Sequence, residues 1–162
     1  MQPPTFSLVA LGLALAQIAT AAPAPAALAL SVRTVTNLPP SDQFITCPKY
    51  LYSRPQAEKA IQKGIDMAPK AKTKTDYPHK FGNNKKLVFS DKCKGKQLWE
   101  YPLLRGSSIY SGTGDPGADR VVFVINSSDP VKKPTSDGIY CGVMSHDGVK
   151  TDGDFAICPV KD

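Results

Sequence analysis

The sequence predicts an α+β fold in which one α-helix packs on a four- to five-stranded antiparallel β-sheet. Three features carry this expectation. One segment alone, from Ser53 to Ala68, has the apolar repeat of a helix. After Lys70 the chain breaks into short apolar runs separated by Gly, Pro, Asn and Asp. Those runs follow one another with no second helical pattern between them, which favours antiparallel pairing over parallel crossovers.

The elements follow in order. The first 21 residues carry no charge, and the apolar run Phe6 to Ile18 leads into Ala19-Thr20-Ala21, a small-x-small pattern. At 13 residues the run is too short to span a bilayer, so residues 1–21 are expected to be a signal peptide. That predicts a secreted, extracellular protein without stable membrane association. Residues 22–46, rich in Ala and Pro up to Pro40, read as an arm or propeptide. The compact domain is expected over 47–162, one domain's worth of chain and a monomer.

Ser53-Arg54-Pro55-Gln56 fits a capping box, with Ser53 as N-cap and Gln56 three residues on. Ala57, Ala60, Ile61, Ile65 and Ala68 then form one apolar stripe. Gly64 weakens the interior, and Pro69 ends the helix. Strands are expected at Lys86 to Ser90, Gln97 to Leu103, Asp119 to Ile125, Tyr140 to Ser145 and Asp154 to Cys158. Asn126-Ser127-Ser128 is a glycosylation sequon in an expected loop.

Four cysteines in a secreted chain imply two disulfides, with three possible connectivities. There is no CxxC pair and no His-Cys cluster, so neither a metal nor a cofactor is expected. The formal charge of +6 is uneven: Lys70 to Lys96 contains nine lysines against Asp76 and Asp91, a local +7. Such a run is either a solvated face or a patch for a polyanion, RNA or an anionic membrane surface.

Four residues stand out as chemistry. His79 and His146 are the two histidines. Glu100 and Arg120 interrupt apolar strands. Alternation puts Glu100 on a face with Leu98 and Pro102, and Arg120 on a face with Val122 and Val124. Charges so placed are costly to desolvate unless paired or functional. Spacing leaves two readings open, a structural Glu100–Arg120 ion pair or a catalytic set.

Four blocks extend the reading. They are Tyr77-Pro78-His79-Lys80-Phe81, Glu100-Tyr101-Pro102-Leu103, Pro116-Gly117-Ala118-Asp119-Arg120-Val121-Val122-Phe123 and Gly142-Val143-Met144-Ser145-His146-Asp147-Gly148. In this order and at this spacing the chain, from about Cys47 to Cys158, resembles the fungal extracellular guanyl-specific ribonucleases, the family that includes ribotoxins. The resemblance implies the same helix-on-sheet fold and the pairings Cys47–Cys158 and Cys93–Cys141. It implies a metal-independent endoribonuclease that cuts single-stranded RNA through a 2′,3′-cyclic phosphate. Its catalytic residues carry over as Tyr77, His79, Glu100, Arg120 and His146.

In that scheme Glu100 takes the 2′-hydroxyl proton and His146 protonates the leaving oxygen. His79 supports Glu100, Arg120 holds the phosphate, and Tyr77 donates a further hydrogen bond. The neighbouring guanidinium is expected to keep Glu100 ionised at mildly acidic pH. Phe81, Asn83, Lys85, Lys86 and Phe155 are expected to bind substrate, Phe155 beside the scissile phosphate and Phe81 against a base. The family's base-reading glutamate falls at Lys85, which cannot accept from a guanine N–H. Base preference is therefore open between guanine or purine and a relaxed choice. Two alternatives are ribotoxin-like cleavage of ribosomal RNA and a non-catalytic RNA-binding effector on the same scaffold.

Overall fold

The computed structural model describes residues 33–71, 73, 76–127, 137–151 and 153–162. The expected signal peptide and the first part of the arm lie outside them. The elements are β1 (Val35–Thr36), β2 (Phe44–Thr46), β3 (Leu51–Ser53), α1 (Arg54–Met67), β4 (His79–Phe81), β5 (Leu98–Pro102), β6 (Asp119–Asn126), β7 (Asp137–Ser145), β8 (Ala156–Cys158) and β9 (Val160–Lys161). The larger sheet runs β1-β7-β6-β5-β4, with β8 also paired to β7. All its pairings are antiparallel except that of the two-residue β1. A second sheet, β3-β2-β9, is formed by the two ends of the domain.

The helix starts and stops as its sequence dictates. The Ser53 backbone N–H donates to Gln56 Oε1 at 2.9 Å, one half of the capping box. Pro69 turns the chain into a short 3₁₀ segment, Ala68–Lys70. The stripe of Ala57, Ala60, Ile61 and Ile65 is buried against Tyr101, Val121, Phe123 and Val143 of the sheet. Gly64 belongs to this contact: a Cβ there would lie 2.8 Å from Phe123 Cζ and 3.2 Å from Tyr101 Cβ. Its low helix propensity is offset by letting the helix approach two large rings.

The opposite sheet face carries a smaller core of Leu98, Val122, Val124, Met144 and the Cys93–Cys141 bridge, flanked by Phe81, Phe89 and Phe155. A register shift between Val122 and Phe123, opposite Gly142 and Tyr140, lets Tyr140 and Val143 both face the helix while Cys141 and Met144 face away. The second bridge, Cys47–Cys158, joins residues 111 apart at the chain ends. Both pairings are those that the family resemblance implies.

Three expectations change. The compact domain does not begin near Cys47, because β1 and β2 lie within the expected arm: Val35 pairs with Gly138, and buried Ile45 pairs with Tyr52. Lys86 to Ser90 is not a strand. Asn83 and Lys86 adopt φ of 47° and 55°, and the Asn83 side chain bonds both backbone groups of Leu87 at 2.8 Å, which turns the chain away from a ladder. Asn126 is the exposed last residue of β6 rather than part of a loop.

Candidate active site

The site begins with strand register. His79 on β4 lies directly opposite Glu100 on β5, Glu100 opposite Val122 on β6, and Arg120 opposite both Pro102 and Met144. Period-two alternation then sends His79, Glu100 and Arg120 to the sheet face away from the helix. His146 follows the end of β7 and stays in register through its N–H to the Ala118 carbonyl, 3.0 Å.

Glu100 is only 8% exposed. Its Oε1 meets His79 Nδ1 at 3.2 Å, so its ion-pair partner is His79 and not Arg120, and the structural Glu100–Arg120 pair does not form. The second carboxylate oxygen of Glu100 and Nε2 of His79 are both buried without a protein partner. Unpartnered buried polar atoms are expensive, and here two of them belong to one hydrogen-bonded pair. Arg120 does pull the carboxyl down, but it does not set the net direction. Burial is the largest influence and raises the Glu100 pKa above its ordinary value, against the lowering pull of Arg120, His79 and His146.

Arg120 is held by backbone. Its Nη1 donates to the carbonyls of Pro116 (3.2 Å), Gly117 (2.9 Å) and Asp119 (2.9 Å), and Nε donates to Tyr77 Oη at 2.9 Å. Among the described residues no carboxylate forms an ion pair with it. Because Tyr77 accepts from Arg120, its own hydroxyl proton remains available to donate. Its ring stacks on His79 at 4.1 Å and meets Tyr101 and Tyr110 edge-on, and burial raises its pKa.

His146 Nδ1 lies 2.7 Å from the Asp154 carbonyl oxygen. A carbonyl only accepts, so Nδ1 carries a proton and Nε2 is the nitrogen left to exchange one with a ligand. The imidazole lies against Phe155, centroids 3.7 Å apart, and Phe155 meets Phe81 edge-on at 6.0 Å. Phe155 thus links Phe81 to the histidine.

The other expected substrate contacts divide. Asn83 commits its amide to Leu87 and shapes the loop. Lys85 pairs with Asp154 Oδ1 at 3.1 Å. Lys86 stands exposed on the turn. Beside Phe81 and Asn83 opens a groove of about 720 Å³, lined also by Phe89, Lys94 and Lys96. The sequence reading missed Asp154 and the Pro116 and Gly117 carbonyls, because a backbone acceptor leaves no mark in residue identity.

Together the residues form a buried carboxylate with one unpartnered oxygen, a fixed cation and an oriented imidazole. Comparison with known proteins agrees with that chemistry. A family model described as ribonuclease matches residues 41–159. Guanyl-specific ribonuclease U1 of Ustilago sphaerogena is 38% identical over 104 residues, 64% of this chain and 85% of that protein. Guanyl-specific ribonuclease Pc of Penicillium chrysogenum is 30% identical over 113 residues, 70% of this chain and 95% of that protein. Guanyl-specific ribonuclease T1 of Aspergillus oryzae is 32% identical over 105 residues, 64% and 69% of the two chains. With the match covering strands β2 to β8, the helix and every residue of the site, the chain belongs to the ribonuclease family that contains the fungal guanyl-specific enzymes.

Proposed function

We propose that this endoribonuclease cleaves single-stranded RNA by transesterification, with Glu100 as base and His146 as acid, and that it acts after secretion. The single observation that carries the assignment is the Glu100–His79 pair, buried with Oε2 and Nε2 left without protein partners. Glu100 takes the proton of the ribose 2′-hydroxyl, whose oxygen attacks phosphorus. The bond from phosphorus to the 5′-oxygen breaks, and that oxygen takes the Nε2 proton of His146. The products are a 2′,3′-cyclic phosphate and a free 5′-hydroxyl. A raised pKa makes Glu100 the stronger base once ionised. The Arg120 fork, the second nitrogen of His79 and the Tyr77 hydroxyl offer donors to the phosphate oxygens, where charge grows in the transition state. Phe155 supplies an apolar wall beside the phosphate, and Phe81 a stacking surface for the base.

Base choice in this reading is weaker than the names of the relatives suggest. Lys85 offers no acceptor where guanine recognition requires one, and Asn83 is occupied by its own loop. End-mapping on a defined RNA and turnover of the four NpC dinucleotides test both parts. Cleavage should leave 2′,3′-cyclic phosphate ends, and His146→Gln should lower turnover by at least about a hundredfold. Preference for guanine should be shallow. Linear 5′-phosphate products, or full turnover in the His146 variant, would remove the mechanism. Strict guanine specificity would remove the reading of Lys85.

A further inference from the structure

The residue step Asp154-Phe155 makes two contacts in each direction. Toward the catalytic side, the Asp154 carbonyl holds His146 Nδ1 at 2.7 Å and Phe155 lies 3.7 Å from the imidazole. Toward the base side, the Asp154 carboxylate holds Lys85 Nζ at 3.1 Å and Phe155 meets Phe81 at 6.0 Å. Lys85 belongs to the turn that Asn83 ties into shape through Leu87. Between β7, which ends at Ser145, and β8, which begins at Ala156, the described residues form no helix or strand, and the Asp154 N–H donates to the Thr151 carbonyl at 3.1 Å. What fixes the Asp154 carbonyl therefore fixes the acid.

We propose that Lys85 and Asp154 are positioning residues: their ion pair fastens the 81–87 base loop to the carbonyl that orients His146. Occupancy of the base site is thereby linked to alignment of the proton donor. This rests on the reading of His146 as the acid. Lys85 here acts inside the protein, on Asp154, and not on RNA. The charge partner makes this the more direct assignment, since a lysine held at 3.1 Å from a carboxylate has its ammonium already engaged.

The test is a double-mutant cycle with Lys85→Gln, Asp154→Asn and the pair, assayed on a dinucleoside monophosphate too short to reach other lysines. Each single change should lower kcat by about two- to fivefold, the scale of a partly exposed ion pair. KM should change little, and the double variant should be no worse than either single one. Lys85→Arg, which keeps the charge, should retain wild-type kcat. High salt should bring wild type toward the variants, because the pair is partly exposed.

The second readout is independent of turnover. The His146 Nδ1 proton resonance, protected by its carbonyl bond, should broaden in Lys85→Gln and Asp154→Asn and persist in Lys85→Arg. Additive losses, or a purely KM effect on long RNA that survives in the Asp154→Asn background, would show Lys85 contacting RNA and overturn the proposal. Unaltered His146 resonances in both variants would also overturn it. If wild type retains turnover while His146→Gln also retains it, the acid assignment fails instead, and the resonance experiment still decides whether the ion pair orients His146.

Discussion

Replacing Glu100 by Gln separates the chemical contribution of the carboxylate from its cost to folding. The substitution keeps volume, planarity and one acceptor oxygen, so the contacts of Leu98 and Pro102 on the same strand have no reason to shift. It removes the ability to accept a proton. A positioned general base contributes about a hundredfold or more, near 3 kcal/mol of barrier. Turnover of a dinucleotide should fall by at least that factor. The stability effect has the opposite sign. Burial raises the carboxyl pKa despite Arg120 and His79, so the folded state holds this proton more tightly than the unfolded chain does. Wild type is therefore penalised at pH values above the folded pKa, and the penalty fades as pH falls toward the ordinary glutamate value. Glutamine carries no such penalty. Glu100→Gln should melt above wild type at pH 7, and the two curves should converge in acid. Wild-type turnover would refute the catalytic assignment. A variant that melts lower at pH 7, or by a constant margin at every pH, would refute the claim that desolvation dominates over pairing with His79.

Three further outcomes follow from the same geometry. The two disulfides close loops of similar worth by the chain-entropy relation, about 4.8 kcal/mol for a separation of 111 and about 4.1 kcal/mol for 48; comparable losses should appear in chemical denaturation of the paired Cys→Ala variants. Removing Cys93–Cys141 should in addition raise KM, because that bridge anchors the strandless segment flanking the base loop, whereas removing Cys47–Cys158 should leave KM unchanged in the folded fraction; equal KM effects would contradict this. Changing exposed Lys86, Lys92, Lys94 and Lys96 to Gln should weaken binding to long RNA and make the log affinity against log salt slope shallower by about 0.7 per lost phosphate contact. Dinucleotide turnover should stay at the wild-type level, and identical salt slopes in variant and wild type would assign the lysines to solvent.

What the sequence disclosed and what it concealed follow a physical division. The helix was legible because its signals are local: a cap at Ser53, a stripe at helical spacing and a stop at Pro69. The strands β5, β6 and β7 were legible because burial on both faces enforces long apolar runs. The two- and three-residue strands β1, β2, β3 and β9 were not. β1 and β9 pair with partners about a hundred residues away, Val35 with Gly138 and Phe44 with Lys161, the β2–β3 pairing is local, and each involves too few residues to show a period. Lys86 to Ser90 has strand-like residues, but the Asn83 clamp on Leu87 sets the backbone first. At the site, identities pointed to Glu100, Arg120 and the histidines, while their relation did not. Strand register makes His79 the partner of Glu100, and backbone carbonyls at Pro116, Gly117 and Asp119 hold Arg120.

That last separation matters for the proposed chemistry. An arginine bonded to a carboxylate has its charge largely neutralised before substrate arrives, and a phosphate must compete for it. Arg120 is instead steadied by three carbonyls and a phenol, which fix the guanidinium plane without cancelling its charge. Carbonyl dipoles are weaker competitors than a carboxylate, so the cation stays available to an anion whose charge grows during reaction. Glu100 meanwhile draws on His79, a partner able to donate from Nδ1 while its Nε2 has no protein partner. Placing both charges on adjacent buried strands holds them close, and giving each a different partner keeps them from satisfying one another. Each of the two can therefore act on substrate.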